Sequence, residues 1–216
     1  MDKAILITRP SYDDGTEYLS YYSSLVIKEA KEKGFLIKDF EGTEVNRKEV
    51  LKFLEKKDPS ALFINGHGDE ENLYGHKDKV LLSLRDLGLL RGKMIYARAC
   101  SAGTVFGKEV TAENGGCFIG YKSPFSFWID ERHSATPHKD NTAKLYLEPS
   151  NEVMLSLVKG KTSLEAHNKS KKMMIENMQR MAKWGENNQP GAMNMLQVLW
   201  NNFEGQVLHG NDSFRI

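Results

Sequence analysis

The sequence predicts an α/β fold, a three-layer α/β/α sandwich around a mostly parallel central sheet of about six strands. Short apolar runs at 4–7, 61–64 and 94–97 are typical of strands that are buried on both faces. Segments with helical periodicity lie between these runs, and this alternation favours parallel strands joined by crossover helices. Because neither a repeat nor a linker divides the chain, we expect a single domain over residues 1–216.

The predicted elements follow one another closely as far as residue 121. The first helix begins with Asp14 and Glu17 in a capping-box pattern, and Gly34 ends it. A second capping box, Asn46 with Glu49, begins a helix that runs to about Lys57. The other predicted elements are strands at 35–40, 61–64, 94–97, 117–121 and 205–208, a hairpin or irregular excursion at 72–83, a short helix from Ser83 to Gly92, and helices at 104–113, 142–158, 162–184 and 190–201. Residues 122–141 lack periodicity and are interpreted as a long loop, which in compact domains is commonly functional.

The composition excludes several classes of protein. Hydrophobic residues make up 40% of the chain and charged residues 27%, which is ordinary for a globular protein and argues against global disorder. The 30 Lys and Arg residues nearly balance the 29 Asp and Glu residues, so no overall positive field exists to hold a nucleic-acid backbone. We therefore expect no nucleic-acid partner, and we interpret the local cluster of basic residues at 169–180 as a solvated helix face.

The cysteine count and the hydropathy pattern indicate a cytoplasmic protein. Cys100 and Cys117 form at most one pair, which is no disulfide framework. No stretch approaches the length that crosses a bilayer, and the first apolar run is too short for a secretory signal. The histidines outside position 67 show no metal-ligand spacing, so we expect neither a metal nor another cofactor.

Two predicted strands end in reactive side chains. One strand leads into His67 and Gly68, and another leads into Cys100. Adjacent parallel strands lie about 4.8 Å apart and end at the same edge of the sheet, so His67 and Cys100 are expected side by side. An imidazole next to a thiol can accept its proton, and a helix starting just after Gly103 would favour the thiolate. The amides of Gly68 and Cys100 could then form an oxyanion hole.

A structural interpretation of the same residues stays open. Free cysteines are usually buried and inert, and a His-Gly pair is common in turns. The position of Cys100 at a strand exit, instead of inside the strand, favours the reactive interpretation.

The two motifs resemble those of the caspase-like cysteine peptidases. The sequences FINGHG at 63–68 and ACSAG at 99–103 are most similar to the CHAT-domain and gingipain forms, although Ser101 and Ala102 depart from the usual Ser/Thr-Gly. The ending GND at 210–212 resembles the closing Gly-Asp-Pro segment of those families. The resemblance implies a caspase–hemoglobinase fold, with His67 as general base, Cys100 as nucleophile and no metal.

The resemblance also implies where specificity is decided. In these families the residue two before the cysteine lines the pocket for the residue that precedes the scissile bond. Here that residue is Arg98, which could form a bidentate pair with an acidic side chain. The alternative is that Arg98 pairs with Asp69 or Glu70. The predicted substrate-binding set is completed by Asp69 and by two residues of the 122–141 loop, Trp128 and Asp130. The alternative interpretation of residues 122–141 is a surface loop whose aromatic side chains pack against the protein.

The function predicted from these residues is that of a cysteine endopeptidase with a Cys100–His67 dyad. Its partners would be a protein or peptide substrate and an activating protein or small ligand, and by resemblance its setting would be bacterial signalling or antiviral defence. Two alternatives remain: a non-catalytic caspase-like interaction module, and a cysteine amidase or hydrolase that acts on a small molecule.

Overall fold

The computed structural model describes residues 4–112 and 115–216. The strands are β1 (Ala4–Arg9), β2 (Leu36–Glu41), β3 (Ala61–Asn65), β4 (Asn72–Tyr74), β5 (Val80–Ser83), β6 (Met94–Arg98), β7 (Cys117–Tyr121) and β8 (Gln206–Gly210). The helices are α1 (Asp14–Glu32), α2 (Arg47–Lys57), α3 (Leu87–Leu90), α4 (Phe106–Thr111), α5 (Asn141–Val158), α6 (Ser163–Glu186) and α7 (Ala192–Gly205).

Six of these strands form the central sheet in the order β2-β1-β3-β6-β7-β8. Every neighbouring pair is parallel except β7 and β8, which are antiparallel. Strands β4 and β5 form a separate antiparallel ribbon. The predicted α/β class with a six-stranded, mostly parallel sheet is confirmed.

Both faces of the sheet are covered, as the continuous apolar strands predict. Leu6 and Leu62 point to one face, where they pack with side chains of α2, α3 and α4. Ile5 and Phe63, one position earlier or later on the same strands, point to the other face, where α1, α5 and α6 pack. Successive side chains of a strand therefore belong to two separate cores, one on each side of the sheet.

Several element boundaries differ from the sequence prediction by a few residues, and two of the differences have a clear cause in the hydrogen bonding. The N-cap of α1 is Asp13, one residue earlier than predicted, because its carboxylate accepts the backbone N–H of Thr16 at 2.7 Å. Helix α4 begins at Phe106 instead of residue 104, and its predicted end at Glu113 lies outside the described residues. The later start follows from the Gly103 N–H, which donates to Tyr121 O of β7 and so ties the chain to the sheet.

No helix in the described part of the chain combines the length and the apolar character needed to cross a membrane.

Candidate active site

The ends of β3 and β6 bring His67 and Cys100 to one cavity. Asn65 is paired in register with Arg98, and each reactive residue follows its strand two positions later. The cavity has a volume of about 230 Å³, and both His67 and Cys100 line it. The thiol contacts the carbonyl oxygen of Phe125 at 3.9 Å and makes no hydrogen bond to the imidazole within the described residues.

Gly68 lies where only glycine fits. A Cβ at this position would come within 2.9 Å of the Ala99 Cβ and 3.0 Å of the Cys100 carbonyl oxygen. The backbone after His67 therefore packs directly against the backbone around Cys100. Within the described residues, neither the Gly68 amide nor the Cys100 amide donates a backbone hydrogen bond. Cys100 lines the cavity, whereas Gly68 lies behind His67 and does not.

The backbone after Cys100 turns sharply before α4 begins. Ser101 adopts φ 56°, a left-handed conformation that is uncommon for a residue with a side chain. Its N–H donates to Ser123 O at 3.2 Å, which fixes this turn to the segment after β7. Because α4 starts only at Phe106, the helix N-terminus lies further along the chain from Cys100 than the sequence predicted.

Asp13 is a site residue that sequence reasoning missed. Its Oδ2 lies 3.1 Å from His67 Nε2, while its Oδ1 accepts from Thr16 N–H at the start of α1. Partial burial raises the pKa of Asp13, but the hydrogen bonds from Thr16 and His67 outweigh that effect, so the pKa is lowered. An ionised carboxylate can only accept, so His67 Nε2 carries the hydrogen, and in the neutral ring Nδ1 is the acceptor. A helix-capping aspartate gives no sequence signal that it also contacts a histidine 54 positions later.

The structure places Arg98 differently from the sequence prediction. Its side chain is fully buried, and its donors reach four neutral acceptors: Asn65 Oδ1 at 2.7 Å, Ser23 Oγ at 2.6 Å, Leu19 O at 3.1 Å and Asn151 Oδ1 at 3.4 Å. Neither the bidentate pair with a substrate carboxylate nor the alternative ion pair with Asp69 or Glu70 fits this arrangement. Burial lowers the pKa of Arg98, and no described carboxylate bonds to the guanidinium.

Asp69 shapes the turn after His67 and does not line the cavity. Its carboxylate accepts from the hydroxyl of Tyr74 and from the N–H groups of Glu71 and Asn72. Burial raises the pKa of Asp69, and these hydrogen bonds lower it by more. The Asp69 carboxylate thus bonds to residues of its own loop. This geometry does not support the predicted contact of Asp69 with substrate.

The segment after β7 lines the cavity, though through other residues than those predicted. Phe125, Ser126, Phe127 and Ile129 line the cavity. Trp128 is 41% exposed, and Asp130 binds Arg132, which lowers its pKa to about 2. Trp128 and Asp130 do not line the cavity, although Phe127 and Ile129 beside them do.

Two buried polar side chains hold this wall in place. Asn202 of α7 accepts from Ser126 N–H at 3.1 Å and donates to Ser126 O at 2.6 Å. Asp140 accepts from Asp130 N–H at 2.8 Å and from the Tyr18 hydroxyl at 2.9 Å. Both side chains are fully buried, so they fix the segment after β7 at Ser126 and at Asp130. In the residues that the structure describes, no group of three or more His, Cys, Asp or Glu side chains is arranged to hold a metal ion.

Comparison with solved structures defines the class of the fold. The chain is similar to gingipain R (RgpB), an Arg-specific cysteine proteinase, with a TM-score of 0.56 and 14% identity over 99% of this chain and 47% of the other. It is also similar to RgpB in the complex of Porphyromonas gingivalis pro- and mature domains, with a TM-score of 0.59, 13% identity and coverage of 99% and 48%. The fold is therefore the caspase-like cysteine protease fold of gingipain, and the chain spans about half the length of these structures. No protein-family model and no curated protein matches the sequence.

Proposed function

We propose that this protein is a cysteine endopeptidase with Cys100 as nucleophile and His67 as general base. The observation that carries the proposal is the convergence of both side chains on one cavity, at the ends of adjacent parallel strands. His67 Nδ1 takes the thiol proton, and the thiolate attacks the carbonyl carbon of the peptide bond. The oxyanion that forms accepts from the amides of Gly68 and Cys100.

The remaining steps return the enzyme to its starting state. The imidazolium of His67 gives its proton to the leaving amine, and the C–N bond breaks to leave a thioester on Cys100. Water, deprotonated by His67, attacks the thioester, and the new acid and the thiol are released. Asp13 contributes by holding His67 Nε2–H and by stabilising the imidazolium that forms in each step.

The proposal includes a preference for an acidic residue before the scissile bond. Arg98 lies on the cavity with a buried positive charge and only neutral hydrogen-bond partners among the described residues. A buried charge without an opposite charge is costly, and a substrate carboxylate that enters the cavity supplies one. The charge of Arg98 attracts the substrate carboxylate across the cavity, and the two groups do not form a bidentate pair. This preference differs from the arginine specificity named for gingipain R.

Matched peptide substrates test the specificity. Two peptides that differ only in Asp or Asn before the scissile bond are compared, and wild-type protein is expected to cleave the Asp peptide faster. Arg98→Met removes the charge at similar volume and is expected to erase the difference. Equal cleavage of both peptides by the wild-type protein would rule out the preference without affecting the proposed chemistry.

The catalytic pair is tested by the rate at which iodoacetamide alkylates each cysteine as a function of pH, with mass spectrometry to separate the two sites. Cys117 is an internal control, because burial raises its pKa to about 11. We expect Cys100 to react much faster than Cys117 at neutral pH and to lose that advantage in His67→Ala. A Cys100 rate that is independent of His67 would remove the basis for the proposal.

One observation favours a second candidate, a non-catalytic interaction module. The Cys100 thiol contacts Phe125 O and makes no direct hydrogen bond to the imidazole. In the peptidase proposal this contact is released when a partner protein or a small ligand activates the site. A cytoplasmic location and a role in bacterial defence or signalling belong to the same proposal. An unreactive Cys100 under all activating conditions would favour the interaction module.

A further inference from the structure

Tyr12 joins the segment that carries Asp13 to the tip of the β4–β5 ribbon. Its hydroxyl donates to Asp78 Oδ1 at 2.6 Å and accepts from the Asp78 backbone N–H at 3.3 Å. We call this pair of hydrogen bonds the Tyr12–Asp78 clasp. Burial and the neighbouring Asp78 carboxylate raise the pKa of Tyr12, so the hydroxyl keeps its proton at neutral pH and can donate.

The ring of Tyr12 packs between two histidines. Its centroid lies 6.2 Å from that of His67 and 5.3 Å from that of His76, with a tilted and an edge-on arrangement respectively. Its backbone N–H donates to Thr16 Oγ1 at 3.1 Å, and Thr16 is the residue whose own amide holds Asp13. Tyr12 is therefore connected to His67 both through its ring and through the cap of α1.

The tip of the ribbon adopts a conformation that needs external support. Lys77 and Asp78 both have φ 54°, which is disfavoured for residues with side chains. The clasp bonds both the backbone N–H and the carboxylate of Asp78. It thereby fixes the tip against the β1–α1 segment, on the side of the site where His67 lies.

We propose that Tyr12 is a positioning residue for His67. The clasp holds the segment that contains Asp13, and so it holds the carboxylate that orients the imidazole. This inference rests on the proposed function, in which that imidazole is the general base.

The test uses three substitutions that keep most of the structure intact. Tyr12→Phe keeps the ring and removes only the hydroxyl. Tyr22→Phe is the matched control, because the Tyr22 hydroxyl is buried and has no hydrogen-bond partner within the described residues. Asp78→Asn keeps an acceptor oxygen and tolerates the left-handed conformation. The readouts are the NMR signals of the His67 ring protons and the pH profile of Cys100 alkylation.

We expect Tyr12→Phe to shift or broaden the His67 ring signals and to slow Cys100 alkylation at neutral pH by roughly three- to tenfold, the equivalent of one ordinary hydrogen bond. Tyr22→Phe is expected to resemble wild type, and Asp78→Asn, which keeps an acceptor but loses the charge, is expected to lie between wild type and Tyr12→Phe. Unchanged His67 signals in Tyr12→Phe, or equal changes in Tyr22→Phe, would overturn the inference. Shifted His67 signals with unchanged alkylation would support the clasp and count against the peptidase chemistry, so the two failures are distinguishable.

Discussion

At the scale of single residues, Asp13 serves two partners with one carboxylate. Asn caps a helix as well as Asp does, so Asp13→Asn keeps the bond from Thr16 N–H and removes the negative charge beside His67. We expect Asp13→Asn to slow Cys100 alkylation by roughly tenfold, since it replaces a charge-assisted hydrogen bond with a neutral one. The midpoint of thermal unfolding should stay within about 1 °C of wild type.

Comparison of Asp13→Ala with Asp13→Asn separates the capping role from the contact with His67. Asp13→Ala removes the cap as well, so it should cost about 1 kcal/mol of unfolding free energy and about 3 °C of thermal midpoint. Equal thermal midpoints for Asp13→Asn and Asp13→Ala would contradict the capping role. Equal alkylation rates for Asp13→Asn and wild type would contradict the role toward His67.

Gly68 is the second residue whose substitution gives a clear prediction, because its surroundings leave no room for a side chain. In Gly68→Ala the new methyl group would collide with Ala99 Cβ and the Cys100 carbonyl, so we expect a loss of about 1–3 kcal/mol and a strong fall in Cys100 reactivity. Gly88→Ala is the control, because a Cβ there meets no atom within 4 Å and alanine favours the helix. Both variants are compared with wild type by urea denaturation, which gives the unfolding free energy, and by the rate of Cys100 alkylation. A stable, reactive Gly68→Ala protein would show that the two strand exits are not packed as described.

At the scale of elements, helix α7 supports the wall of the cavity. Asn202 is fully buried and makes two hydrogen bonds to Ser126, so Asn202→Ala should cost about 1–3 kcal/mol and loosen residues 125–129. The neighbouring Asn201→Ala is a matched control, because Asn201 is exposed. Limited proteolysis should cut the wall faster in Asn202→Ala than in Asn201→Ala. Identical cleavage patterns would show that α7 does not anchor this segment.

The ion pair between Arg47 and Asp86 ties α2 to the segment after the ribbon. Burial raises the pKa of Asp86, and hydrogen bonds from Arg47 and Ser83 lower it by more, so the folded-state pKa lies below the unfolded one. Its stabilising contribution is therefore complete above the unfolded-state pKa of about 3.9 and is lost as the pH falls through the folded-state value. We expect Asp86→Asn to be less stable than wild type at neutral pH and to lose less stability on acidification. Parallel curves of unfolding free energy against pH would contradict this.

At the scale of the whole molecule, one sheet gathers strands from both ends of the described chain. β1 begins at Ala4 and β8 ends at Gly210, and both belong to the same six-stranded sheet. We therefore propose that the chain unfolds as a single domain. The three tryptophans all lie between residues 128 and 200, so their fluorescence reports the C-terminal half, whereas far-UV circular dichroism reports the whole chain. The two thermal transitions should coincide, and separate midpoints would indicate two folding units.

The parts of the fold that were predictable from sequence depend on local patterns. Apolar runs bounded by caps and glycines mark β3 and β6, and their ends place His67 and Cys100 at one edge of the sheet. The direction of the Arg98 side chain was not predictable, because it depends on acceptors from β3, α1 and α5 that meet only in the folded chain. The choice of residues that line the cavity after β7 and the contact of Asp13 with His67 also depend on tertiary packing.

The neutral surroundings of Arg98 carry a consequence for divergence within this fold. Asn65, Ser23 and Asn151, which accept hydrogen bonds from Arg98, belong to three different elements. An ionised acid in place of the arginine would offer them no donor, so each of the three side chains would have to turn or be replaced. Homologues that carry an acidic residue at position 98 are therefore expected to differ at positions 23, 65 and 151 as well.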